Sequence, residues 1–339
     1  MIHATCRNQA GLFFLKPLAL FLILMLPGGL RAGRIVYPWR AASAIIKAGD
    51  PLQIWYHNPQ NSIIDSVCLV GPFNRITLLP DSVRTGVYEF DTYTHASVNN
   101  IICVRIPPSA PQELYDVQTC SGGRQVVSEK SVQVVRSFEA SHRFIHISDP
   151  HVSRQWVGTA TDGYAKELEL LNAFIQVANI ICPDFIIITG DLIHHYTMLD
   201  ADSTGWGGRK LYAAEQRPSA EEKYRNYYDG AKGFSGIHGF TSPCFSVAGN
   251  HDYYGVKQND YPAKARQWND LCGLRVYGFS YAGTRILVAD DYLGDPVVDI
   301  PDSLPMSGLQ GQVLERYLDT AGPGDVRLLA QHRDRKSVV

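Results

Sequence analysis

No Cys-x-x-Cys pair occurs in the 339 residues, which removes the thiolate metal sites and dithiol redox centres that depend on that spacing. A basic surplus is missing as well. Lys and Arg number 31 against 33 Asp and Glu, with no basic stripe or tail, so nothing points to nucleic acid. No apolar run reaches the ~20 residues a membrane helix needs. The most apolar stretch, Leu18–Leu26, lies in "MIHATCRNQAGLFFLKPLALFLILMLPGGLRAG", behind Arg7 and Lys16 and ahead of a small-residue exit at Ala32-Gly33. That is the layout of a secretory signal peptide over residues 1–32. The expectation is a secreted or periplasmic protein with no stable membrane span after cleavage. The alternative is an uncleaved anchor, because Leu30 makes a poor cleavage signal. No Cys stands at the exit to carry a lipid.

Without residues 1–32 the chain keeps 28 basic and 33 acidic residues, a formal charge of −5, and six cysteines: Cys68, Cys103, Cys120, Cys182, Cys244 and Cys272. An even count in an exported chain permits disulfides, but six cysteines allow fifteen pairings and the spacing selects none. Cys182 and Cys244 flank apolar strand-like runs, where a free Cys serves as a small hydrophobe.

What is present is a globular composition, 45% hydrophobic and 19% charged, in a chain long enough for two domains. Residues 33–140 carry short alternating segments such as "PLQIWYHN", "SVCLVGPF", "GVYEFDTYT", "IICVRIP" and "SVQVVRSF". Turn chemistry separates them ("AGD", "PDS", "SVNN", "PPSAPQ"), so this part reads as an all-β, immunoglobulin-like sandwich. It offers no clustered ligands or acid/base pairs, and its expected role is support or positioning. From residue 141 to 333 the texture changes. "RFIHISD", "DFIIITGD", "CFSVAGNHD", "TRILVADD" and "VRLLAQH" read as strands. "DGYAKELELLNAFIQVANII" places Leu168, Leu171, Ile175 and Ala178 at helical spacing, and "LQGQVLERYLDTAG" is a second helix. The fold class is therefore α/β (α+β) in this half, a sheet core flanked by helices.

In such sheets ligands bind beyond the carboxyl ends of the strands. Here those ends carry Asp149 and His151, then Gly190-Asp191, then Gly249-Asn250-His251-Asp252, and late in the chain His332. All are metal-capable types delivered to one edge. Two divalent cations about 3.5–4 Å apart can clamp the attacking and leaving oxygens of a phosphoryl displacement. Ions that close need a shared carboxylate, and Asp191 is the natural bridge. Asp149 and His151 complete one shell, Asn250 and His332 the other. Oxygen and nitrogen ligands without thiolate suit Mn, Fe or Zn. His251 is placed to protonate a leaving oxygen, with Asp252 to orient it. His146 is read as a core or second-shell group, His142 and His238 as surface or loop residues.

The motifs Asp149-Pro150-His151, Gly190-Asp191-Leu192-Ile193 and Gly249-Asn250-His251-Asp252, followed by His332, stand in the order D-x-H, G-D-x-x, G-N-H-[DE], H. In this the chain resembles the calcineurin-like metallophosphoesterase family over roughly residues 143–333. The resemblance implies a helix-covered β-sandwich core with a dinuclear site, and hydrolysis of phosphate mono- or diesters by a hydroxide held between the ions. It implies substrates that are small-molecule or lipid phosphoesters. The family's later G-H-x-H, which supplies one ligand to each metal, has no counterpart here. His194 follows "GDLI" where purple acid phosphatases carry tyrosine, which argues against an iron–tyrosinate variant. The closing "DRKSVV" continues no pattern and resembles a translated sequencing adapter, so residues 334–339 are expected to be a non-native tail on a truncated chain.

Between Asp191 and Asn250 runs a long polar insertion that hangs from the active edge. His194, Arg209, Lys210, Tyr224, Tyr227 and Tyr228 are its candidates for meeting a phosphate, base or sugar, against the alternative that "EEKYRNYY" is an ordinary helix with aromatic anchors. The rival function is a secreted binding or adhesion protein with a degenerate metal site, its β-sandwich being the working part.

Overall fold

Alternating burial turns the first half into sheets. The computed structural model describes residues 33–91, 93–152, 163–193, 220–253, 256, 260–293 and 308–332. Strands β1 (Arg34–Tyr37), β3 (Pro51–His57), β7 (Ser97–Arg105) and β6 (Ser82–Glu89) make one sheet, in that order. A second sheet runs β2 (Ala44–Lys47), β9 (Arg124–Val135), β8 (Leu114–Ser121), β4 (Ile64–Val70), β5 (Arg75–Leu78). Along β3 every second side chain, Leu52, Ile54 and Tyr56, is buried, the period-2 pattern of a strand with one covered face. These meet Val67, Leu69, Val117, Val132 and Val134 of the other sheet in one core. The β8–β9 hairpin closes on Gly122-Gly123 with φ of +54° and +74°, the doubly positive turn that matches strand twist and that two glycines adopt without strain.

In the second half, β10 (Phe144–Ser148), β11 (Phe185–Thr189) and β12 (Cys244–Val247) pair in parallel. β13 (Tyr277–Tyr281), β14 (Thr284–Val288) and β15 (Val326–Ala330) form another sheet, antiparallel then parallel. All of β11 is buried, as befits a β-branched central strand covered on both faces. On one face Phe185, Ile187, Phe245 and Val247 pack against Tyr277, Tyr281, Ile286 and Val288 of the second sheet. On the other, Ile186 and Ile188 meet three helices: α1 (Gly163–Ile181), α2 (Ala220–Asp229) and α3 (Tyr261–Leu271). α1 contributes Leu168, Leu171, Ile175 and Ala178, the residues its helical spacing predicts. α3 starts on Asp260, whose side chain accepts from the Ala263 amide at 3.1 Å, with a proline in the first turn; both features favour a helix start. α4 (Gly308–Asp319) covers Leu287 and Ala289 with Tyr317 and Leu318.

The two halves are joined by more than the chain. The Ala41–Ser43 segment pairs with the free edge of β12, through Ser246 N–H to Ala41 O at 2.7 Å and Ser43 N–H to Cys244 O at 3.4 Å. That covers an edge which would otherwise recruit another strand. Val36, Ala42 and Val98 share a core cluster with Phe185 and Phe245, and one compact unit begins at Gly33. The six described cysteines are free thiols. Cys244 is buried, as its apolar surroundings predict; Cys182 is exposed, because it follows the last turn of α1 rather than entering the core. Among the described residues no helix is long and apolar enough to cross a membrane.

Candidate metal centre

β10 and β11 do not stop pairing when their ladder ends. Asp149 N–H reaches Gly190 O at 3.2 Å, His151 N–H reaches Asp191 O at 2.9 Å, and Val152 N–H reaches Leu192 O at 3.0 Å. The two loops run side by side, so carboxylates and imidazole distant in sequence become neighbours. The route demands unusual backbone. Asp149, His151, Gly190 and Asp191 have φ of +56°, +45°, +75° and +49°, a region that costs a side-chain-bearing residue roughly 1–3 kcal/mol and that accumulates at functional sites.

Asp191 is the hub. Its Oδ2 lies 3.4 Å from His332 Nε2, 3.6 Å from His151 Nε2 and 4.0 Å from His251 Nε2. Its Oδ1 accepts the His251 amide at 2.9 Å. His151 Nε2 is also 3.6 Å from Asp149 Oδ1. Asp149, His151 and Asp191 could together hold one metal ion. Asp191 is buried, which works to raise its pKa, but the His332 and His251 imidazoles and the His251 amide hold it below the usual carboxylate range.

His332 donates Nδ1–H to the Thr189 carbonyl at 2.9 Å. That bond leaves Nε2, the nitrogen facing Asp191, as the available ligand atom. Burial lowers the affinity of this imidazole for a proton, yet Asp191 and the Thr189 carbonyl prevail and hold its pKa up at about 9. Close approach depends on two glycines: a Cβ at Gly190 would stand 2.3 Å from His332 Nδ1, and one at Gly249 would stand 2.3 Å from Asp191 N and Oδ1. The imidazole Nε2 atoms of His332, His151 and His251, 3.4–4.0 Å from one buried carboxylate oxygen, are a donor set that fits divalent metal.

Asn250 opens a 3-10 turn, Asn250–Tyr253, immediately after Gly249. Asp252 is buried beneath that turn. Its Oδ1 accepts the amides of Leu192 at 2.8 Å and Ile193 at 3.2 Å, and its Oδ2 accepts the Gly249 amide at 2.7 Å. The carboxylate expected to orient His251 therefore ties the Asp191 loop to the Asn250 loop through their backbones. Tyr224 OH adds a bond to the Asp252 carbonyl at 2.8 Å.

The structure brings Asp149, His151, Asp191, His251 and His332 together, with Asn250 on the adjoining turn. Tyr228, expected as a substrate residue, is a correction. It is fully buried with Tyr224 and Tyr227, because their i, i+3, i+4 spacing puts all three on the core face of α2, and the Arg40 guanidinium covers its ring at 3.8 Å. His194, Arg209, Lys210 and the stretches 1–32 and 334–339 lie outside the described residues. His146 bonds Thr189 Oγ1 at 2.7 Å through Nε2, a supporting role as anticipated. His238 is no bare loop residue: its Nδ1 lies 2.9 Å from Asp229 Oδ1 and 3.1 Å from Glu129 Oε2. Sequence reasoning missed Thr189, whose carbonyl and hydroxyl steer two histidines; the only hint was a polar residue closing an apolar strand.

With this geometry in view, comparison with known families is decisive. Residues 142–334, more than half of the chain, match the calcineurin-like phosphoesterase family model, and the chain belongs to that family. No curated protein matches the chain in sequence. Among solved structures, amylomaltase from Corynebacterium glutamicum is similar at 16% identity and TM-score 0.22, over 45% of this chain and 21% of that one. The mixed-linkage glucan utilization locus protein SGBP-B of Bacteroides ovatus gives 16% and 0.19, over 31% and 23%. A DUF4784 family protein from Bacteroides caccae gives 14% and 0.18, over 33% and 25%. The chain spans about a fifth to a quarter of these proteins, and likeness at this level bears on neither fold nor function.

Proposed function

We propose that the protein is an exported, metal-dependent hydrolase of phosphate mono- or diesters, built on two divalent ions (Mn, Fe or Zn). One observation carries this reading: three imidazole Nε2 atoms surround a single buried carboxylate oxygen, Asp191 Oδ2, at 3.4, 3.6 and 4.0 Å. Asp149 and His151 would hold one ion, Asn250 and His332 the other, with Asp191 common to both. Bound ions of this kind take up charge on phosphoryl oxygens and activate a water for attack.

The chain's own residues do the remaining work. Asp191 keeps its charge at neutral pH, since its pKa is held low. Thr189 fixes the tautomer of His332. His251, whose amide is pinned to Asp191 Oδ1, would pass a proton from its ring to the departing alkoxide. The basic residues, apolar stretch and small-residue exit of residues 1–32 support export, and the strands of 34–135 are taken as an immunoglobulin-like supporting domain. Small-molecule or lipid phosphoesters are the substrate class, with His194 and Arg209 as contacts from the insertion.

The test is hydrolysis of chromogenic phosphate monoester and diester by chelator-stripped protein, before and after adding Mn2+, Zn2+ or Fe2+. Turnover should appear only with metal and fall by at least ~10–100-fold in Asp191→Asn, since that is already the loss when only a ligand's outer-shell partner is removed. Equal turnover in stripped protein, or in the variant, would sink the reading.

A further inference from the structure

Arg275 is buried between carboxylates from opposite halves of the chain. Its Nε lies 2.5 Å from Asp91 Oδ2, and its Nη1 lies 2.6 Å from Asp290 Oδ2, with side-chain exposures of 3%, 1% and 0% for Arg275, Asp91 and Asp290. Asp91 belongs to the loop after β6. It is itself fixed by accepting the amides of Tyr93 and Thr94 on Oδ1, each at 2.9 Å. Asp290 follows β14, accepts the amides of Tyr292 and Leu293 on Oδ1, and receives Tyr253 OH on Oδ2 at 2.5 Å.

One oxygen, Asp290 Oδ2, thus takes both the guanidinium and the Tyr253 hydroxyl. Tyr253 is the last residue of the turn that opens with Asn250 and His251. Its ring stacks on Tyr292 at 5.4 Å between centroids. The turn is clamped at its start by the Asp252 carboxylate on the Gly249 amide, and at its end by Tyr253. Stability alone is a weak explanation for such a triad, because buried ion pairs are often replaceable by apolar groups at no loss. Its location is informative: the second clamp originates in the half that contributes none of the candidate metal ligands.

We propose that Asp91 is a positioning residue for the metal centre: through Arg275 and Asp290 it fixes Tyr253, and with it the turn that presents Asn250 and His251. This rests on the metallophosphoesterase reading above. It gives the β-rich first half a part in the site, beyond covering a sheet edge.

The experiment uses the full chain as wild type, Asp91→Asn, Tyr253→Phe and the double variant. Amide hydrogen exchange is followed over residues 249–253 in metal-free protein, and Mn2+ affinity is measured by calorimetry. Each single change should speed exchange at 249–253 several-fold while 185–189 keeps its protection, and should weaken Mn2+ binding about tenfold. The double variant should be no worse than the worse single, because both cut one chain of contacts. Tyr253→Phe removes a single oxygen and carries the test if Asp91→Asn does not fold. Unchanged exchange at 249–253 or additive losses would overturn the proposal. Loosened exchange in a chain that hydrolyses no phosphoester with Mn2+, Zn2+ or Fe2+ would end the phosphoesterase reading and leave the relay standing; hydrolysis with unaltered exchange would do the reverse.

Discussion

Gly190 has no room for a side chain. At φ +75°, a Cβ would fall 2.3 Å from His332 Nδ1 and 2.5 Å from its Cγ, where the ring is already tied to Thr189 O. Gly190→Ala should cost about 2–5 kcal/mol from the left-handed backbone and the overpacking together. It should also weaken Mn2+ binding by at least about tenfold by unseating the imidazole. Urea unfolding and calorimetry would check both, and a variant matching wild type in each would mean His332 does not occupy this place. A second residue reports on pH. Burial, Arg40 and Lys130 outweigh Asp229 and hold His238 down at about 4, against 6.5 for an ordinary histidine, even with Glu129 at 3.1 Å. Between about pH 4 and 6.5 the unfolded chain then binds more protons than the folded one, so stability falls as pH drops through that window. The expected loss is about 1–3 kcal/mol. It should appear as a falling urea midpoint in wild type that is shallower in His238→Asn; parallel curves would refute it.

Helix α2 shows how an element can mislead when read for function. Tyr224, Tyr227 and Tyr228 sit on one face, each with no exposed surface, so Tyr228→Ala is a core deletion. It should cost about 3–5 kcal/mol, the range for removing a large buried aromatic side chain, while leaving KM for a phosphoester close to wild type. A KM raised tenfold at unchanged stability would restore Tyr228 to the substrate wall. The same elements explain what was legible beforehand. Period-2 and period-3.6 patterns announced β3 and α1, an unbroken apolar run announced β11, and the polar residues after β10, β11 and β12 announced the cluster, because a parallel strand must end in a loop at the same edge as its neighbours. β1, β2, β5, β8 and β13 were not among the expected strands. All but β8 are four or five residues long, too short for alternation to stand out from chance; the eight residues of β8 are interrupted by a register shift between Tyr115 and Val117, which breaks their alternation. The clamps formed by Thr189, Asp252 and Arg275 were hidden for a different reason: their partners are backbone groups or residues as far as 184 positions away, which no local pattern encodes.

At the scale of the whole molecule, the question is whether the two halves unfold as one. Three contacts argue that they do. The edge of β12 is closed by Ala41–Ser43 rather than left to solvent. Val36, Ala42 and Val98 bury their side chains in the cluster that holds Phe185, Phe245 and Tyr277, and each fully buried large apolar side chain is worth about 1.5–3 kcal/mol. If Asp91 departs, Arg275 keeps Asp290 but loses its Nε partner, a buried charged hydrogen bond worth about 1.5–3 kcal/mol. Opening the interface therefore forfeits a sum comparable with the entire stability of an ordinary domain, about 5–15 kcal/mol, so neither half should persist once the other has melted. Urea unfolding of the chain from Gly33 should give a single transition, with tryptophan fluorescence and far-UV circular dichroism coinciding. Trp55 of β3 and Trp268 of α3 report from either side of the interface, and single-tryptophan variants at these positions should share one midpoint. Two resolved midpoints would show that the halves are coupled only through the covalent chain, and that the contacts between them are too weak to hold one site in the service of both.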